Sequence, residues 1–141
     1  MRFMMIVKAS QDSEAGKMPM EEMLATMGKY NEELAKAGVL VEGTGLQSSS
    51  KGARVQFSGN KKTVIDGPFV ETKELIAGYW IINVKSKQEA VDWALKAPNP
   101  HGEGKETHIE IRQFFELEDF GKSEAVDRHR ELQAKLEAQK R

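Results

Sequence analysis

The chain has 141 residues, a formal net charge of −1 at neutral pH and no cysteine. This length suits one compact domain, and the near-neutral balance excludes bulk attraction to nucleic acid or to an anionic membrane. The missing cysteines exclude a disulfide framework, a thiolate zinc site and a cysteine nucleophile.

Residues 1–7 are apolar but short, and polar residues follow at once. No stretch approaches the ~18 apolar residues of a membrane span, so neither a signal peptide nor a membrane segment is expected, and reducing cytoplasm is the expected compartment. Residues 2–9 read as a strand apolar on both faces, with Phe3, Met5, Val7 and Ala9 opposed to Met4, Ile6 and Lys8. Residues 10–17 read as a polar loop. Pro19 opens a helix to about Ala37 whose stripe is Met20, Met23, Leu24, Met27, Tyr30 and Leu34. Glu21 and Glu22 near its start, Lys36 near its end and Gly38 beyond it suit the helix dipole and C-terminal capping. The methionines are expected to pack as core, the alternative being an adaptable binding surface.

Residues 39–46 form a second strand, bent around Gly43 and Gly45. Residues 54–57 and 62–65 flank Ser58-Gly59-Asn60-Lys61, which reads as a hairpin turn. The hairpin delivers the chain to Asp66-Gly67-Pro68, a stiff bend with a carboxylate at its corner and Gly67 free to take positive φ. Phe69 supplies an apolar anchor, and Glu71, Lys73 and Glu74 supply two carboxylates and an ammonium.

The next strand, residues 76–84, carries Gly78, Trp80, Ile82 and Val84 on one face and Ala77, Tyr79, Ile81 and Asn83 on the other. Two helices cover only one face of a four-stranded sheet. A strand apolar on both faces therefore predicts that a second subunit covers the other. Ser86-Lys87-Gln88-Glu89 is a capping-box pattern that starts a helix to about Ala97, with Ala90, Val91, Ala94 and Leu95 buried and Pro98 as its stop. The loop Asn99-Pro100-His101-Gly102-Glu103-Gly104 leads to a last strand, residues 107–116, with His108, Glu110, Arg112 and Phe114 on one face. Residues 123–139 form a further helix with a narrow stripe of Ala125, His129, Leu132 and Leu136. The predicted fold class is α+β: a ferredoxin-like β-α-β-β-α-β order with an inserted β-hairpin and an extra C-terminal helix.

The run Asp66-Gly67-Pro68-Phe69, with Glu71-Thr72-Lys73-Glu74 and Gly78, is similar to the signature of the YCII-related (YciI-like) family in its DGPF-motif branch. So are the opening Met1–Lys8, the run Gly52-Ala53-Arg54-Val55, and Pro98-Asn99-Pro100-His101-Gly102 with Ile109-Glu110-Ile111-Arg112. The similarity spans residues 1–121 and sets residues 122–141 apart as a C-terminal helical extension. It implies a ferredoxin-like domain that pairs into a dimeric α/β barrel. Where relatives pair a histidine with an aspartate, Asp66 is the aspartate's position; the signature itself holds no histidine.

On this reading the candidate catalytic residues are Asp66, as acid or base, and His101, as a proton shuttle. Phe69, Glu71, Lys73, Glu74 and Arg112 are the candidate substrate-binding residues, with Lys73 and Arg112 holding anionic groups. No two histidines stand at i, i+4, and Gly43-x-Gly45 lacks the third glycine of a nucleotide loop, so no metal and no cofactor are expected. Three functions stand open: a cofactor-independent enzyme using acid–base chemistry on a small polar organic molecule, a non-catalytic ligand-binding or regulatory module, which the resemblance links to transcription regulation, and a structural homodimer. No nucleic-acid or membrane partner is expected.

Overall fold

The computed structural model describes residues 1–140. Four strands, β1 (Arg2–Lys8), β2 (Leu40–Gly45), β5 (Ile76–Asn83) and β6 (Ile109–Gln113), form one sheet in the order β2-β5-β1-β6. All three pairings are antiparallel. With α2 (Glu21–Lys36) between β1 and β2 and α3 (Lys87–Leu95) between β5 and β6, this α+β arrangement is compatible with the ferredoxin-like order expected. Strands β3 (Ala53–Ser58) and β4 (Lys61–Asp66) form a separate hairpin, joined by a two-residue turn with Gly59 at φ +59°.

Helix α2 ends where its sequence says it must. Gly38 takes φ +76°, its N–H donates to the Ala35 carbonyl, and the Val39 N–H donates to the Leu34 carbonyl. This is a Schellman motif, and it places Leu34 and Val39 together in the core. Ser86 caps α3 by accepting from the Glu89 N–H at 3.1 Å. Glu89 reaches back to the Lys85 N–H at 2.8 Å, one residue before the cap itself. Residues 10–17 are not wholly a loop. Ser10 and Ser13 accept from each other's backbone N–H, and this reciprocal box starts the short helix α1 (Gln11–Glu14).

The core lies on one face of the sheet. Phe3 and Met5 from β1, Trp80 and Ile82 from β5, and Tyr30, Leu34 and Ala90 from the helices are buried there. Registers Phe3↔Ile82 and Met5↔Trp80 align these side chains across β1 and β5. The opposite face carries Met4, Ile6, Tyr79 and Ile81, all only half-buried.

Three expected stripes are corrected. On α2, Tyr30 and Leu34 are buried, but Met20 and Leu24 are exposed by 75% and 57%, because the N-terminal half of α2 stands over a groove instead of the core. On α3, Leu95 is 78% exposed; Trp93 and Ala94 pack on the core instead. On α4 (Glu124–Gln139) the buried residue is Val126, while Leu132 and Leu136 are exposed.

Candidate functional site

The groove lies between the N-terminal half of α2 and the β2–β5 edge of the sheet. It has a volume of about 440 Å³. Met18, Met23, Leu24 and Met27 form one wall, Gly43, Thr44 and Gly45 of β2 with Gly78 and Trp80 of β5 form the other, and Leu46, Gln47 and Ser48 close one end. Trp80 is fixed twice. Its ring meets Tyr30 edge-on at 5.3 Å between centroids, and its indole Nε1 donates to Asn31 Oδ1 at 2.6 Å. A Cβ on Gly43 would come within 2.8 Å of Trp80 Cδ1, so the indole occupies space that only glycine leaves free.

Tyr30 belongs to the same support. Its hydroxyl donates to the Trp93 carbonyl at 2.6 Å, tying α2 to α3. Burial, helped by the negative charge of Glu33, pushes the Tyr30 phenol up to about 12.

The signature bend lies at the foot of the hairpin. Gly67 does not use positive φ. Its need for glycine is one of space: a Cβ there would stand 1.8 Å from the Ser49 carbonyl oxygen. The Gly67 N–H donates to the Gly52 carbonyl at 3.0 Å, and the Gly67–Pro68 peptide is cis. Ser49 is the anchor. Its N–H and its hydroxyl both donate to the Glu14 carboxylate, the first at 2.9 Å, and its Oγ accepts from the Phe69 N–H at 2.9 Å. Arg54 lies over the Phe69 ring at 3.8 Å from its centroid and reaches Glu71 at 3.8 Å. The cation–π contact contributes about 0.5–1 kcal/mol; the half-exposed ion pair adds little.

The sequence-derived site residues are therefore placed as follows. Asp66 ends β4 opposite Ala53, exposed, and its carboxylate has no hydrogen bond or ion pair among the described residues. Lys73 and Glu74 are exposed on the turn Thr72–Glu74. Phe69 and Glu71 meet Arg54. His101 is half-buried; its Nε2 donates to the Lys8 carbonyl at 2.8 Å, and its backbone N–H donates to Asn99 Oδ1. Arg112 is exposed and pairs with Glu110 at 3.3 Å, which also lies 3.9 Å from Lys8. Within the single chain Asp66 and His101 make no contact with each other among the described hydrogen bonds and ion pairs. Pro100, the neighbour of His101, reaches the groove.

Sequence reasoning missed the groove's principal residues, Asn31 and Trp80, and the clasp residues Glu14, Ser49 and Arg54. Three methionines near the start of α2, facing a glycine-flexed strand, were the available signal for the groove. The Ser49 clasp left none, because it joins segments 35 and 20 residues apart.

The YCII-related domain matches residues 1–115, and the chain belongs to that family. It is also similar to Uncharacterized protein R00369 of Rhizobium meliloti (strain 1021), with 32% identity over 93 residues, which is 66% of this chain and 72% of that protein.

Proposed function

We propose that this chain is a homodimer that binds a small organic molecule in the groove between α2 and the sheet. The observation that carries the reading is the groove itself: methionine, leucine and tryptophan side chains beside a few polar groups, the usual make-up of a small-molecule site. Thioether side chains adapt to the shape of an apolar body.

The homodimer is supported by surface area. The chain exposes 10903 Å², whereas a compact monomer of 15.8 kDa exposes about 7,300 Å². The surplus, roughly 3,600 Å², is several times the ~800 Å² that one partner gives to an ordinary stable interface. Two apolar surfaces stand open to a partner. One is the open sheet face of Met4, Ile6, Tyr79 and Ile81. The other is the hairpin face of Val55, Phe57 and Val64, whose side chains are all more than half exposed. A hairpin standing alone is marginally stable, and a second copy that covers both surfaces gives the dimeric α/β barrel.

Acid–base catalysis by Asp66 and His101 belongs to this dimer and not to the single chain, since only a second subunit can desolvate an exposed Asp66 and bring it against a groove. The test is a small-molecule screen on the purified dimer by thermal shift, followed by product analysis of each stabilising compound. Stabilisation without consumption supports a binding module. Turnover that falls with Asp66→Asn supports the enzyme. A groove-filling Met23→Trp variant that leaves every stabilisation unchanged overturns the groove as the site.

A further inference from the structure

We infer that the groove selects an aromatic molecule bearing a neutral carbonyl, whose oxygen is held by the side-chain amide of Asn31. This rests on the groove reading above and adds the chemical class of the ligand.

An indole N–H donates and does not accept. The Asn31 atom 2.6 Å from Trp80 Nε1 is therefore the amide oxygen, and the orientation of the amide is set by chemistry. Its Nδ2 must then face away from Trp80. Asn31 lines the groove, and Nδ2 has no protein acceptor among the described hydrogen bonds. No side-chain polar atom is sealed without a partner among the described residues, so Nδ2 is an accessible donor. Trp80 thus acts as a positioning residue: it fixes the donor without itself offering a polar atom to the ligand.

What surrounds the donor decides the charge of the acceptor. Lys17 is the one charged residue among those lining the groove; it is mostly exposed and stands 3.3 Å from Asp12. A carboxylate seated at Asn31 would lose its hydration without gaining a free cation, which is costly, whereas a ketone or amide oxygen needs one N–H donor. Met18, Met23 and Met27 opposite Trp80 favour an aromatic body, because thioether sulfur packs well against ring edges.

The experiment titrates the full-length protein with acetophenone, isopropylbenzene and benzoate, following the methionine methyl and Asn31 side-chain amide resonances by NMR. Isopropylbenzene has the shape of acetophenone without the acceptor. Asn31→Asp keeps an acceptor for Trp80 Nε1 and removes the N–H donor. Acetophenone affinity is expected to fall about five-fold or more in Asn31→Asp, while isopropylbenzene affinity is unchanged and benzoate binds more weakly than acetophenone throughout. If both neutral probes shift the methionine methyls but Asn31→Asp affects them equally, the groove reading stands and the carbonyl inference falls. Tighter binding of benzoate overturns the neutral class. If neither neutral probe shifts the methionine methyls, groove and inference fall together. Should Asn31→Asp not fold, the wild-type amide decides: an Asn31 Nδ2 shift with acetophenone and none with isopropylbenzene supports the assignment, and equal shifts refute it.

Discussion

The Ser49 carbonyl oxygen stands 1.8 Å from where a Cβ on Gly67 would be, so the bend and the turn Ser49–Lys51 touch backbone to backbone. Gly67→Ala must push them apart. The expected loss is about 1–3 kcal/mol, the usual cost of overpacking, read as a lower denaturation midpoint together with faster amide exchange across residues 53–66. Ser49→Ala removes the clasp more gently: Phe69 N–H and the Glu14 carboxylate each lose a partner, for about 1–2 kcal/mol. Unchanged exchange at Phe69 in both variants would show that the clasp does not hold the hairpin.

Tyr30 makes stability depend on alkaline pH. Its phenol is raised from 10.0 to about 12 in the folded protein, so the unfolded chain releases this proton first. The contribution of Tyr30 is whole below pH 10 and is lost as pH rises from about 10 to about 12, with a size on the order of 1–2 kcal/mol. Tyr30→Phe should flatten that part of the curve and cost about 1 kcal/mol at neutral pH through the unpaired Trp93 carbonyl. Urea midpoints measured across that window check both effects; parallel curves for the two proteins would refute the linkage.

The proposed interface has two separate parts, and each can be broken alone. Ile81→Arg places a charge on the open sheet face, and Phe57→Glu places one on the hairpin. Light scattering after size-exclusion chromatography should give the mass of a dimer for the wild type and a shift toward monomer for either variant. A Phe57→Glu protein that remains fully dimeric would remove the hairpin from the interface and leave the sheet face to account for it.

Gly43→Ala tests the support of the groove floor. The new methyl would meet Trp80 Cδ1 at 2.8 Å, and because Trp80 is also held by Asn31 and Tyr30, the indole cannot yield freely. A loss of about 1–3 kcal/mol is expected, with a shift in tryptophan fluorescence that Trp93→Phe leaves in place. An unaltered emission spectrum would mean the floor adapts without moving Trp80.

Much of the fold was legible because it rests on local patterns. The alternation through Phe3–Val7 and Gly78–Ile82 placed the right side chains on the core face, Gly38 stopped α2, and Ser86 started α3. Patterns failed where a stripe was longer than the surface beneath it. Met20 and Leu24 continue the spacing of Tyr30 and Leu34, yet this half of α2 stands off the sheet across the groove, and spacing alone does not reveal a gap. At the signature, the residues were marked correctly as a bend, but a glycine that needs space reads the same as one that needs positive φ. Only the position of Ser49, eighteen residues earlier in the chain, separates the two.

Ser48 is part of the groove wall and Ser49 grips both Glu14 and Phe69. The rim of the cavity and the root of the β3–β4 arm are therefore adjacent links of one short lever. A shift of that rim would reach the arm through covalent neighbours and the Phe69 N–H to Ser49 Oγ hydrogen bond, without passing through the sheet. Occupancy and assembly would then share a free-energy coupling that works equally in both directions.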